Sequence, residues 1–411
     1  KLDTMHKHSK IFFVSYTNHY DGSINDIKCK DHIMRAIIAV ISDLSTDMRV
    51  KKHAELLSSM GFTVTLIGRH CGRSLPLSFP NVTVSMIRVP FTKGPMMYIS
   101  FNMTLMFRLF LLKKPDLYVA NDLDTLVPCH IVSWLFRRPL VYDSHEYYTG
   151  QYSLTERDFK RSLWTKVERR LLPKVRYMIT VSESIADLYR QEYGCDPVVI
   201  RNLPLPASDI LPHKRSDLGA GADDLLVVFQ DGSGDNPGRG ADELLEAMTL
   251  VENVRLVIIG TGKRIEEARQ QVQKQRLDSK VIFLDRMTWE EMIRFIKCCD
   301  AGLSIDADTC INQRLSLPNK LFDTIGAGVP VITSPLPEVS AVVSRYRCGL
   351  VLDEMTPRAI AGALSVLRDD RQLLSVLKDN ARAASEELTW EKEQTKEREL
   401  FQSVIIENNI K

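Results

Sequence analysis

The chain has 411 residues, more than a single hydrophobic core ordinarily supports, so its length predicts two domains. Hydrophobic residues make up 44%, an ordinary globular composition, and 54 basic side chains nearly cancel 52 acidic ones to leave a net charge of +2, which argues against a nucleic-acid partner. Eight cysteines without a Cys-x-x-Cys pair argue against a disulfide framework or a zinc site and for a reduced cytoplasmic interior.

The first ten residues, KLDTMHKHSK, lack the apolar core of a signal peptide and are set aside from the fold. KIFFVSY then predicts a buried strand, and TNHYDGSIND a polar loop. MRVKKHAELLSSMGFTVTLIGR predicts a helix, a glycine stop and a second strand, and VTVSMIRVP a further strand. GPMMYISFNMTLMFRLFLLKKP is the most apolar stretch. A membrane span needs roughly 20 mostly apolar residues; Asn102 and Arg108 interrupt this one, and a buried helix is the expectation. PDLYVANDLDTLVPCHIVSWLF predicts strand, turn and helix, and RPLVYDSHEYYTG a strand running into His145 and Glu146.

Strands alternating with helices imply an α/β fold with a doubly wound parallel sheet, whose ligands sit beyond the carboxyl ends of the strands. Asn121, Asp122 and His145 all fall at such ends and converge on one candidate site. The next stretch, residues 156–176, carries Lys160, Arg161, Lys166, Arg169, Arg170, Lys174 and Arg176 against three acids. It reads either as a solvated helix face or as a surface resting on an anionic membrane. YMITVSESIADLYRQEYGCDPVVI predicts a strand, a Ser-capped helix and a strand, and the Pro-rich NLPLPASDILP places a domain boundary near Pro204.

In LLVVFQDGSGDNPGRGADELLEAM, a strand leads through a glycine loop into a helix. Gly232, Gly234, Gly238 and Gly240 let backbone amides approach phosphate oxygens, and Arg239 adds charge at the helix start. VRLVIIGTGKRIEEAR and VIFLDRMTWEEMIRFIKCCDAGLSI repeat the strand–helix unit. Two Asp-x-Asp pairs, Asp122–Asp124 and Asp306–Asp308, have no histidine or third acid clustered with them in sequence, so no metal is expected. LPNKLFDTIGAGVPVITSPLPE is the most informative stretch: a helix opening after Pro318, ended by glycines and followed by a short buried strand. The helix start would present free N–H groups to an anion, and Lys320 adds a full charge. Glu338, just beyond, is either an acid free to accept from a ligand's hydroxyls or a solvated loop residue.

The run PNKLFDTIGAGVPVIT…E resembles the donor-binding segment of the family 4 retaining glycosyltransferases with the two-domain GT-B fold, in the subgroup form LPNKLFxxxxAGxPV. The resemblance extends from about Lys10 to the last helix, with Asp47, Arg49 and Val50 matching a family Asp-x-Arg-Val. It implies two doubly wound Rossmann-like domains facing a cleft: residues 1–203 for the acceptor, 204–385 for the nucleotide-sugar donor, and a helix in 386–411 returning to the first domain, anchored by Trp390. It implies a catalytic set of His145 beside the transferred sugar and Arg239 and Lys320 on the departing diphosphate. Donor contacts follow at Gly232, Gly234, Gly240, Arg286, Met287, Asn319, Asp323 and Glu338, with Asn121, Asp122 and Glu146 on the acceptor and sugar side. Asp323 takes the place of a family Glu that accepts from ribose hydroxyls, and Leu315 that of the other family Glu.

The function so implied is retaining transfer from a nucleotide diphosphate sugar to a glycan acceptor, lipid-linked or part of a surface polysaccharide, with no cofactor and no metal. The protein would be cytoplasmic, either free or peripheral at the inner face of the plasma membrane. Two alternatives stay open: a catalytically silent nucleotide-sugar-binding or scaffold protein, which the missing acid at Leu315 would suit, and a nucleotide-sugar epimerase, which would need further acid/base carboxylates.

Overall fold

The computed structural model describes residues 33–42, 44, 47–71, 81–155, 158–221, 223–231 and 238–410. The strand expected at residues 10–16 and Gly232 and Gly234 of the glycine loop lie outside the described residues. Two parallel sheets carry the fold. The first contains β1 (Arg35–Ala39), β2 (Thr63–Arg69), β3 (Val82–Ile87), β4 (Leu117–Asn121), β5 (Leu140–Asp143), β6 (Tyr177–Thr180) and β7 (Val198–Val199), in the order β3-β2-β1-β4-β5-β6-β7. The second contains β8 (Leu225–Asp231), β9 (Val254–Gly260), β10 (Val281–Leu284), β11 (Ala301–Ser304), β12 (Val331–Thr333) and β13 (Gly349–Val351), in the order β10-β9-β8-β11-β12-β13. Both are doubly wound Rossmann-like sheets. Strand order reverses between β1 and β4 in one and between β8 and β11 in the other, the places where such sheets open a crevice for a ligand.

Central strands are buried on both faces, and their residues alternate between two cores. In β1, Ile37 and Ala39 pack with Phe101, Leu105 and Leu126 on one side, while Ala36 and Ile38 pack with Val50, Leu57 and Phe401 on the other. In β8, Val227 and Phe229 join one cluster and Leu226 and Val228 another. β1 itself, RAIIA, stands where no strand is expected from the sequence; its signal is a short, unbroken apolar run bounded by polar residues.

The C-terminal helix Trp390–Glu407 belongs physically to the first sheet's core. Trp390, Phe401 and Val404 are buried beside Ile38 and Leu57, and the Trp390 N–H donates to the Pro204 carbonyl at 2.8 Å. Arg201, just after β7, adds a 2.7 Å ion pair to Glu393. The apolar segment around 94–115 forms the helix Pro95–Leu111, but it departs from the expected buried helix. Met97, Phe101, Leu105 and Leu109 are buried, whereas a second apolar stripe is bare. Among the described residues, no helix is long and apolar enough to cross a membrane.

Candidate active site

On the first domain the site forms at the carboxyl ends of β4 and β5. Asn121 closes β4; its Nδ2 donates to the Ala39 carbonyl at the end of β1, 3.1 Å away, and its Oδ1 lies 3.1 Å from His145 Nε2. Asp122 follows with φ 59° and ψ 164°, a conformation that side-chain-bearing residues seldom adopt and that costs on the order of 1–3 kcal/mol. It is held by its own N–H to the Asp143 carbonyl (2.8 Å) and by the His145 N–H, which donates to Asp122 Oδ1 at 3.0 Å. His145 Nδ1 is 3.3 Å from Asp122 Oδ2, and Nε2 is 3.2 Å from Asp143 Oδ2. Burial pulls the imidazole's pKa down, but the two carboxylates outweigh it and lift the group to about 10. His145 is therefore held as a cation.

Behind His145 lies a fully buried chain of charge. Arg49 donates to both oxygens of Asp143 at 2.7 Å each, and His53 Nε2 meets Asp143 Oδ2 at 2.7 Å. The other ring nitrogen of His53 pairs with Glu397 of the C-terminal helix. Burial alone would raise the Asp143 carboxyl; Arg49, His145 and His53 more than reverse that and hold it well below the ordinary range. His53, Asp143 and His145 bring one ligand atom each within 4.8 Å of one another, a spacing a metal ion could use. The Arg49 guanidinium, already on both Asp143 oxygens, would repel a cation placed there.

On the second domain, Lys320 Nζ lies 3.0 Å from Asp306 Oδ1 and Arg239 Nη1 lies 3.3 Å from the same atom. Lys320 is buried, with its ammonium 5.1 Å from the Phe229 ring centroid. Burial lowers its pKa; Asp306 works against that, and Arg239 adds to it. The Nε of Arg239 is buried with no partner among the described residues, as are the hydroxyls of Ser304, Thr333 and Ser334 at the carboxyl ends of β11 and β12. Gly240 lets the backbone pass here: its φ is +86°, and a Cβ would stand 2.1 Å from the Ile305 carbonyl oxygen. Gly240→Ala is accordingly expected to lower stability by about 1–3 kcal/mol in urea unfolding, from φ and contact together.

Short contacts join the two sides. Asn312, on the helix Ile311–Leu315, accepts the Tyr147 N–H at 2.9 Å and donates to Glu146 Oε2 at 2.7 Å. Ser182 donates to the Leu315 carbonyl at 2.7 Å, and the Ser184 N–H donates to Glu338 Oε1 at 2.9 Å. Burial raises the Glu146 carboxyl, as does Asp122, while His145 and Arg239 pull it back. Glu146 thus feels cations from both domains.

His145, Asn121, Asp122 and Glu146 come together on one wall, and Arg239, Gly240 and Lys320 on the other. Other sequence-derived candidates lie elsewhere. Asp323 Oδ1 accepts the Trp289 indole N–H at 3.0 Å, and burial lifts its carboxyl to about 6. Asn319 bonds Asn202 in the linker at 3.0 Å. Arg286 is exposed just after β10, and Met287 packs into the second domain's core. Glu338 is spent, through one oxygen, on the first turn of the helix Glu183–Tyr193.

Asp306, Asn312, His53 and Glu397 were not singled out as site residues from sequence. Asp306 carried a signal, its Asp-x-Asp pair, but the two acids part company: Asp308 pairs with Arg314 at 2.8 Å while Asp306 takes Lys320 and Arg239. The other pair divides too, with Asp122 on His145 and Asp124 buried and raised well above its usual range by desolvation and by Asp122.

Residues 48–203 match the family described as Glycosyltransferase Family 4, and residues 228–370 match Glycosyl transferases group 1. Chitobiosyldiphosphodolichol beta-mannosyltransferase of Kluyveromyces lactis is 22% identical over 361 residues, 77% of this chain and 78% of its own. The enzyme of that name from Candida albicans is 24% identical over 156 residues, 35% of this chain and only 33% of its own length. Sucrose-phosphate synthase from Thermosynechococcus elongatus superimposes with a TM-score of 0.74 at 16% identity, covering 91% of this chain and 100% of that one. Anabaena HepE in complex with UDP-glucose does so with a TM-score of 0.68 at 17% identity, covering 90% and 99%. At such identities the likeness is one of fold.

Proposed function

From the premise that the chain is a glycosyltransferase of the two-domain GT-B fold, we propose that it moves a glycosyl group from a nucleotide diphosphate sugar to a lipid-linked glycan. The donor's diphosphate lies against Arg239 and Lys320, and the acceptor enters beside His145 and Glu146. One observation carries this reading: Arg239 and Lys320 converge on Asp306, while Glu146 of the facing wall feels Arg239 and is bonded by Asn312.

Breaking the sugar–phosphate bond puts negative charge on the departing diphosphate and makes the sugar oxocarbenium-like. Preorganised cations in a water-poor cleft stabilise that charge without reorganising. Lys320, already desolvated, interacts more strongly with such a phosphate than an exposed lysine would. The buried hydroxyls at the ends of β11 and β12 are further donors to donor oxygens. His145, cationic and fixed by Asp122, Asp143 and Asn121, steadies the sugar side. We take the reaction to be metal-independent, because Lys320 and Arg239 supply the positive charge a divalent ion would bring. Away from the two clusters, at the nucleoside end, Asp323 keeps beside its Trp289 bond the ribose-accepting role that the resemblance implies, with Arg286 and Met287 by the base; the basic helix Asp158–Leu171 rests on an anionic membrane surface, leaving the protein peripheral there.

Retention of anomeric configuration is the expectation carried by the family 4 resemblance. Inversion is the second reading, favoured by the beta-mannosyl transfer in the names of the yeast relatives. The test is direct. Full-length protein is screened by thermal shift against UDP-, GDP- and ADP-linked sugars, since a bound donor raises apparent stability by mass action. Nucleoside diphosphate release is then followed with a lipid extract as acceptor, with and without EDTA, and the product anomer is assigned by NMR. Turnover with one donor, unaffected by chelation, is expected; tight donor binding without turnover would mean a silent binding module.

A further inference from the structure

The helix Pro95–Leu111 carries two apolar stripes. Met97, Phe101, Leu105 and Leu109 are buried in the first domain. Ile99, Met103, Phe107 and Phe110 are exposed by 54%, 58%, 63% and 41%. Residues two apart on an α-helix lie about 200° apart, so Ile99, Met103 and Phe107 stand opposite Met97, Phe101 and Leu105. The bare stripe therefore faces away from the core, and it is not isolated. The helix packs edge-to-face on its neighbours through Phe110 and Phe136 (5.9 Å) and through Tyr98 and Trp164 (6.0 Å). Those neighbours add their own exposed side chains: Trp134 at 74% and Leu135 at 52% on the helix Leu123–Phe136, and Phe159 at 84% and Leu163 at 54% on the helix Asp158–Leu171. Exposed apolar side chains gathered in this way on adjoining helices mark an interaction site.

Its charge is predominantly basic. Residues 88–114 contain five basic residues and no acid, and residues 125–142 contain Arg137 and Arg138 and no acid. In the helix Asp158–Leu171 the one exposed acid is Asp158, since Glu168 is buried. Among the described residues, Lys113, Lys114, Arg137, Arg169, Arg170 and Lys174 have no carboxylate within ion-pair distance. Beside Trp134 an open hollow is lined by Arg137, Arg138, Lys174 and Arg176. Arg138 there is shared with Asp116 and Arg176 with Glu407, but Arg137 and Lys174 remain to meet an anion.

We infer that this three-helix face is a membrane seat: the bare stripe and Trp134 enter the interfacial layer of an anionic bilayer, and the basic rim and hollow take lipid phosphates. Apolar residues inserted to shallow depth and flanked by Lys and Arg are how a protein lies on a membrane without spanning it. A protein partner would have to be both apolar and uniformly acidic, so the bilayer is the better match. The seat also lies next to the site. Tyr98 and Tyr148 both pack on Trp164, and Tyr148 follows His145 by three residues in the loop that Asn312 holds. The inference deepens the proposed function and rests on it for two elements, that the acceptor is membrane-borne and that the helix Asp158–Leu171 lies on the bilayer.

The test uses full-length protein and vesicles of phosphatidylcholine alone or with phosphatidylserine. Binding is expected to require phosphatidylserine, to fall steeply with salt, and to shift Trp134 emission to shorter wavelength in a protein whose other three tryptophans are replaced by Phe. Phe107→Ser with Trp134→Ser should weaken binding roughly tenfold or more. Lys113→Glu with Lys114→Glu and Arg137→Glu should weaken it at least as much, at roughly fivefold per charge removed near the surface. All variants should keep the wild-type circular dichroism spectrum and the same rate of donor hydrolysis in solution. Failure of the wild type to bind anionic vesicles at low salt, or wild-type binding by both variant sets, overturns the inference. So does a dimer that the Phe107→Ser, Trp134→Ser variant converts to monomer with vesicle binding unchanged, because the face would then belong to a second copy. Vesicle binding without any glycosyl transfer would sink the proposed function and leave the seat standing.

Discussion

Replacing Lys320 by Met is expected to slow glycosyl transfer roughly ten- to several-hundred-fold, because a charge-assisted hydrogen bond to the leaving group is worth about 1.5–3 kcal/mol and more when desolvated. The cation is buried and 3.0 Å from Asp306, which orients it. Its loss leaves Asp306 still paired with Arg239 at 3.3 Å, so the fold should survive with a loss smaller than an orphaned buried acid would bring. Lys320→Arg is not expected to rescue fully, since a bulkier planar guanidinium would replace a compact ammonium at a position only 4% exposed. Arg239→Ala should fall in the same range, and the double variant should lose less than the product of the two, as expected for groups sharing one oxygen and one substrate phosphate. Steady-state release of nucleoside diphosphate measures all three. A Lys320→Met protein with a rate within about twofold of wild type would remove the leaving-group role.

Asp143→Asn is expected to cost about 3–5 kcal/mol of stability and, for a chain of this size, to lower the melting temperature by on the order of 10 °C. Asp143 is wholly buried beneath Arg49, His53 and His145, and an amide would leave those cations facing a neutral group. The network also makes a signed prediction about pH. His53 is pulled down by burial but lifted further by Glu397 and Asp143, to about 8, against about 6.5 in an unfolded chain. A raised pKa means the folded state holds the proton more tightly. The contribution is complete below about pH 6.5 and fades as pH rises through about 8. Asp143 has the opposite shift, so its contribution is present above about pH 4 and is lost only as pH falls toward its depressed folded value. Melting curves between these limits and pH 9 should therefore slope downward on the alkaline side. In His53→Gln that slope should be shallower. His145, lifted to about 10, and Glu168, raised to about 7 chiefly by burial, also weaken folding as pH rises, while Lys52, lowered to about 8 by burial, opposes them above that pH; all three are present in both proteins, so the comparison reads the part that His53 adds. Parallel slopes would show that His53 is not held as a cation.

The two predictions meet in one structural fact. The C-terminal helix reaches the His145 wall through Glu397, His53 and Asp143, so the segment most distant in sequence from His145 is tied to it by a chain of ion pairs. Nothing in the spelling of WEKEQTKERELF separates Glu397 from the solvated acids around it. It becomes buried because Trp390 and Phe401, on the same helix, are drawn into the first sheet's core.

Much of the architecture was readable from the chain alone, because strand and helix periodicities are local properties and parallel strands buried on both faces are conspicuous apolar runs. The alternation of such runs with helices is enough to imply a doubly wound parallel sheet, the division into two such domains came from the length and the family 4 resemblance, and strand ends are enough to point to Asn121, Asp122 and His145. The placement of Lys320 at a helix start after Pro318 was legible for the same reason. Three things were decided only in the folded molecule. Asp306 had to be brought from the end of β11 to Lys320 and Arg239 before it could be seen as their shared partner rather than half of an Asp-x-Asp pair. Asp323, on the helix that carries Lys320, was turned to Trp289. The second apolar stripe of Pro95–Leu111 could not be told from a buried one, since periodicity reports which residues share a face but not whether another element covers it. Local pattern determines which elements form; burial, charge pairing and exposure depend on contacts between residues far apart in the chain, and those exist only once the sheets have closed on one another.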